Sequence, residues 1–136
     1  MKRIEVKNKE YNIVTLGEDM ALYTIDLNDD IAYSICSEQL GKVGLARSLD
    51  EEQLLKFFAE INPDKIKVTG LLKVRIIGGA DSEFSKNVLS NLVLQLQSID
   101  NNDDIIDLIS CDACEKIHPN SFELNCYHGG IRGIAS

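Results

Sequence analysis

The order of apolar patterns along the chain, strands, helix, strand, helix, strands, predicts an α+β (layered α/β) fold: a mixed, largely antiparallel sheet with two main helices packed on it. Three observations carry that expectation. Short alternating apolar runs fill the first half, a capped amphipathic segment begins at Ser48, and a second amphipathic segment with apolar residues every fourth position begins at Phe84. Ile4 to Val6 and Tyr11 to Leu16 alternate on either side of Asn8-Lys9 and predict a hairpin. Ala21 to Ile25, Ile31 to Cys36 and Lys42 to Ala46 follow as strands, separated by the turn residues Asn28-Asp29-Asp30 and by Gln39-Leu40-Gly41.

Ser48-Leu49-Asp50-Glu51 matches a capping box, so a helix is expected from Ser48 to Ile61, with Leu54, Leu55, Phe58 and Ile61 on one face and Asn62-Pro63-Asp64 as its stop. Ile66 to Ile77 is rich in Val, Ile and Leu, with its best strand from Leu71 to Ile77. After Gly78-Gly79, the residues Phe84, Val88, Leu92 and Leu96 are spaced by four, which predicts a helix from Phe84 to Ser98. Beyond the acidic stretch Asp100 to Asp104, Ile105 to Ile109 reads as a short buried strand. Phe122, Leu124 and Cys126 then alternate on a last strand reaching His128, and Gly129-Gly130 reads as a turn. The expected core includes Leu54, Phe58, Val74, Ile76, Val88, Leu92 and Leu96.

At 136 residues the chain is expected to form one domain, 1–136, with a core that needs neither disulfides nor metal. Its 22 acidic against 14 basic residues give a net charge of -8, a surface that repels phosphate backbones and anionic lipid. Nucleic acid and membrane are therefore not expected partners. No apolar run approaches the ~20 residues of a membrane span, and Met1 to Val6 has no apolar stretch behind it, so no secretory signal is expected. A cytoplasmic, reducing location follows, in which the four cysteines stay thiols or ligands.

Several segments resemble the chemoreceptor glutamine deamidase (CheD-like) family. Leu16-Gly17-Glu18-Asp19-Met20-Ala21 is similar to its hydrophobic-Gly-Glu opening, and Gly41-Lys42-Val43-Gly44-Leu45-Ala46 to the strand that runs into its catalytic histidine. Val74 to Ala80 with Lys86-Asn87-Val88 is similar to its strand, Gly-Gly-Ala turn and helix start. The resemblance implies a thiolate attacking a glutamine amide, a histidine shuttling the proton and a hydroxyl orienting the histidine. This chain departs from that pattern. Asn28-Asp29-Asp30-Ile31-Ala32 stands where the nucleophile belongs, and Arg47 stands where the histidine belongs. Arginine stays protonated and cannot act as a general base. Thr15 or Thr24 could supply the hydroxyl.

Among the remaining candidates, Cys36 lies on the strand that would carry the missing nucleophile and is either a displaced nucleophile or a small buried hydrophobe. Cys111-Asp112-Ala113-Cys114 with Cys126, and His118 or His128, could complete a closed tetrahedral zinc site. The alternatives are a redox pair or ordinary packing. The acid run Asp100 to Asp104 lacks the regular ligand spacing of a calcium loop, so zinc at the cysteines is the one cofactor the sequence could hold, and none is required. Gly78-Gly79 before a helix could cradle an anion, but Asp81 and Glu83 follow at once, so a tight turn is the stronger reading. Two functions are carried forward. One is a noncatalytic protein-binding or regulatory domain on a CheD-like scaffold, connected with chemotaxis. The other is an enzyme, a cysteine amidohydrolase working through Cys36 or a small zinc or redox protein using the C-terminal cysteines.

Overall fold

In the computed structural model, which describes residues 1–116 and 119–135, the chain is an α+β protein of three layers. Its elements are β1 (Lys2–Glu5), β2 (Glu10–Thr15), β3 (Met20–Thr24), β4 (Ile31–Ser37), β5 (Lys42–Arg47), α1 (Glu51–Ile61), β6 (Leu72–Gly78), α2 (Glu83–Asp100), β7 (Ile106–Ala113), β8 (Phe122–Asn125) and β9 (Ile131–Gly133). They form two sheets, ordered β1-β3-β8-β9 and β2-β5-β4-β6-β7. Within these, β1–β3 and β6–β7 are parallel pairs and the other pairs are antiparallel.

The central strand β4 shows why the layers stack as they do. All seven of its residues are buried, so both faces of the strand are covered. Ile31, Tyr33 and Ile35 join the core beneath the helices, with Leu54, Phe57, Phe58, Leu92 and Leu96. On the opposite face, Cys36 packs with Val43 and Leu45 against Met20, Leu22, Leu124 and Cys126 of the four-stranded sheet. Ala32 and Ile77 meet Leu27 and Phe122 in the same interlayer. Alternation along one strand thus feeds two cores.

Five expectations are corrected. The hairpin across Asn8-Lys9 does not form: β1 pairs in parallel with β3 and β2 pairs with β5, so the turn passes the chain between sheets. Alternation specifies a strand and its faces but not its partner. Helix α1 begins at Glu51, not Ser48. Ser48 has a left-handed φ of 51°, and the capping box is Asp50 with Gln53, a second match of the same spacing two residues on. On that helix Phe57, not Leu55, completes the i, i+3, i+4, i+7 stripe of Leu54, Phe57, Phe58 and Ile61, and Leu55 is 52% exposed. On α2, Phe84 is likewise exposed and Val88 is half-buried. Finally, the strand expected at Ile105 to Ile109 is longer and lies at the sheet edge as β7, so Leu108 and Ile109 are exposed rather than buried.

Leu54, Phe58, Val74, Ile76, Leu92 and Leu96 are buried as expected. Leu92 sits 7% exposed on the inner face of α2. Leu92→Ala is therefore expected to lower the unfolding free energy by about 2–5 kcal/mol, measured by urea denaturation. A loss below about 1 kcal/mol would place that face in solvent.

Candidate functional site

Among the described residues, Arg47 at the end of β5 is a buried polar group held by several partners. Its Nε donates to Asp30 Oδ2 at 3.1 Å, and Nη2 donates to the same oxygen at 2.9 Å. Nη1 donates to Thr24 Oγ1 at 3.1 Å and to the Ile25 carbonyl at 2.6 Å, and Nη2 also reaches the Asp26 carbonyl at 3.1 Å. The arginine side chain is 11% exposed and the aspartate 31%. Such a pair holds its geometry because the guanidinium fork satisfies several acceptors at once.

This cluster joins three positions that the family resemblance singled out: Arg47 for the histidine, Asp30 in the stretch for the nucleophile, and Thr24 for the hydroxyl. Thr15 is not part of it. It is exposed and pairs with Lys42, whereas Arg47 pairs with Glu10 at the other end of the β2–β5 ladder. Neither Asp30 nor Arg47 can act as a thiol nucleophile or an imidazole base. What the cluster does is tie the ends of β3, β4 and β5 together.

The Gly78-Gly79 turn closes around the same segment. Gly79 N–H donates to the Asp30 carbonyl at 2.8 Å, and Ser85 Oγ donates to the Asp29 carbonyl at 2.9 Å while accepting from Ala80 N–H at 3.0 Å. Gly78 has φ 83°, and a Cβ there would stand 2.6 Å from Leu27 Cδ1 and 2.9 Å from the Asp30 carbonyl oxygen. Close approach is why glycine is needed. The amides of Gly79 and Ala80 already have protein acceptors, so the turn holds backbone rather than an anion.

The thiols are spread over the interlayer core, the margin of the helix-side core and the exposed sheet edge. Cys36 is buried on β4 behind Gly129, where a Cβ would come within 2.6 Å of its Sγ. Cys126 is buried in the same interlayer, and β8 stops at Asn125, so His128 does not share a strand face with it. His128 is exposed, its Nδ1 accepting from Gly130 N–H at 3.0 Å. Cys111 lies on β7 opposite Ile76, exposed, and Cys114 follows the strand with φ 62° and packs at the margin of the helix-side core. The proposed ligands Cys111, Cys114, Cys126 and His128 are thus not brought to one point, and His118 lies outside the described residues. Among the described residues, no group of three or more His, Cys, Asp or Glu side chains could hold a metal ion. Burial is the largest influence on all four thiols and pushes each above its ordinary pKa. For Cys36, Arg75 pulls the other way without overcoming it.

Sequence reasoning picked out Arg47 and left Asp30 unresolved within its stretch. The usable signal was the pairing of opposite charges, an arginine that closes β5 and an aspartate that opens β4.

The fold and this cluster define a three-layered α+β protein with a buried Arg-Asp pair at its strand ends. No family model matches the sequence. A protein of Rickettsia conorii, described as uncharacterized, is 55% identical over 64 residues, which cover 47% of this chain and 85% of that protein. The chain belongs to that protein's family. Its fold is similar to a Neisseria meningitidis crystal structure of the DUF152 family, with a TM-score of 0.46 and 7% identity over 85% of this chain and 64% of that one. The chain spans under two thirds of that neighbour's length. Among the described residues, no helix is long and apolar enough to cross a membrane.

Proposed function

We propose that this protein is a noncatalytic, protein-binding or regulatory module on a CheD-like scaffold, cytoplasmic and connected with chemotaxis. The observation that carries the reading is the Arg47–Asp30 ion pair with Thr24: Arg47 stands where the family it resembles places a histidine, Asp30 lies in the stretch 28–32 that stands for its nucleophile, and Thr24 is one of the two threonines that could supply its hydroxyl. A site that lost its thiol and base by drift alone would be left with unrelated side chains. Here the replacements satisfy each other, so the scaffold is retained while the chemistry is closed off. A net charge of -8 directs it toward protein surfaces carrying lysine and arginine rather than toward nucleic acid.

The alternative, an amidohydrolase using Cys36, needs a thiolate and a base. Cys36 has neither a histidine hydrogen bond among the described residues nor a depressed pKa. Incubation with a glutamine-bearing chemoreceptor fragment is expected to release no ammonia above the blank, and Cys36 is expected to resist iodoacetamide at neutral pH until the chain is unfolded. Ammonia release that disappears in Cys36→Ala would overturn the proposal.

A further inference from the structure

Helices α1 and α2 lie on one face of the five-stranded sheet without closing the seam between them. Three chambers follow one another along that seam. The first, about 350 Å³, is floored by Phe58, Leu72 and Ile106 and edged by Lys65 and Lys67. The second, about 180 Å³, lies between Glu51 and Leu55 of α1 and Leu94 and Ile99 of α2. The third, about 130 Å³, is walled by Tyr33, Leu49, Val88 and Leu92. Leu55 and Ile99 are shared by the first two, and Gln95 by the last two, so the three form a continuous trench.

The rim is apolar where a soluble surface is usually polar: Leu55 is 52% and Leu94 62% exposed. At the other extreme Tyr33 is 2% exposed, and among the described residues its hydroxyl has no hydrogen-bond partner. The trench also has an electrical direction. Glu51 lines the middle chamber and Lys65 and Lys67 the first; among the described residues neither Glu51 nor Lys65 has an ion-pair partner, while Lys67 reaches Asp103, which lines the same chamber, at 3.5 Å.

We propose that this trench is the docking surface for an amphipathic helix of a partner protein, lying parallel to α1. The proposal rests on the protein-binding reading and names its partner's chemistry. The linings that α2 and its cap give successive chambers lie about four residues apart, roughly 6 Å at 1.5 Å per residue, which matches the ~6 Å between apolar residues at i, i+4 and i+8 of a helix. An extended peptide has similar spacing but would bring unpaired backbone groups against walls whose own backbone is bonded within helices, and a helix carries its bonds with it. Its positive N-terminal end, with a lysine or arginine, faces Glu51. Its C-terminal end, with an acidic residue, faces Lys65 and Lys67.

The test uses the full chain and a fluorescein-labelled synthetic helix of about 18 residues, with leucine at the three anchors, lysine near its N-terminus and glutamate near its C-terminus. A twin has lysine and glutamate exchanged. Saturable binding by fluorescence anisotropy is expected, at least tenfold weaker for Leu55→Arg and for Leu94→Arg, whose thermal melting should match the wild type because both sites are exposed. The twin should bind at least fivefold more weakly, and Lys65→Glu should narrow that gap. Absence of binding, or binding indifferent to both arginine variants, overturns the proposal. So does saturable binding of oleate that Leu55→Arg abolishes while the peptide stays unbound, since the trench would then be a lipid site. Ammonia release by the chain would remove the noncatalytic reading whatever the peptide does, whereas a silent deamidase assay with no peptide binding removes the trench alone.

Discussion

Arg47→Met is expected to lower the unfolding free energy by about 3 kcal/mol, the low end of the roughly 3–5 kcal/mol range for breaking a buried pair. The low end applies because the Asp30 side chain keeps 31% of its surface in water. Methionine fills much of the volume but leaves the Asp30 carboxylate, the Ile25 and Asp26 carbonyls and Thr24 Oγ1 without their donor. Adding Asp30→Asn to Arg47→Met removes the uncompensated charge and should recover part of the loss, so the two changes are coupled. The check is guanidinium unfolding followed by circular dichroism for the two single variants and the double. A cost below 1 kcal/mol for Arg47→Met would mean that the pair does not organise the strand ends, and the closed-site reading would lose its physical basis.

Phe57→Ala is expected to cost about 3–5 kcal/mol, the range for emptying a buried aromatic position. Phe57 is 0% exposed, with ring centroids 5.0 Å from Tyr11, 6.0 Å from Tyr33 and 6.1 Å from Phe58. It also explains Gly44. A Cβ at Gly44 would stand 2.8 Å from Phe57 Cε1 and 3.1 Å from the Asn12 carbonyl oxygen, so the ring lies directly on the β5 backbone. Gly44→Ala should therefore be destabilising in the wild type and less so in the Phe57→Ala background, where the ring is gone. Equal costs in both backgrounds, measured by urea denaturation, would show that the Asn12 backbone and not the ring sets the requirement.

These two residues mark what could and could not be read from the chain. Arg47 was legible as the wrong residue for a base, because its protonation is a property of the side chain itself. Its partner was not, because Asp30 lies 17 residues away and only the pairing of β4 with β5 brings the two strand ends together. Phe57 was missed for a different reason. Two phenylalanines and two leucines in succession on α1 satisfy more than one helical stripe, and the choice between Leu55 and Phe57 depends on where the sheet lies.

By itself the sequence determined the existence and order of most elements, the α+β class, the two amphipathic helices and the Gly78-Gly79 turn, since periodicity and caps are local properties. The tertiary structure alone decided that the strands divide between two sheets, that β7 is an edge, that Cys126 and Cys111 lie in different surroundings, and that α1 and α2 leave a trench between them. Those outcomes depend on which distant segments pair and on which face of an amphipathic element finds a cover, and both are settled by competition among contacts that no local pattern contains.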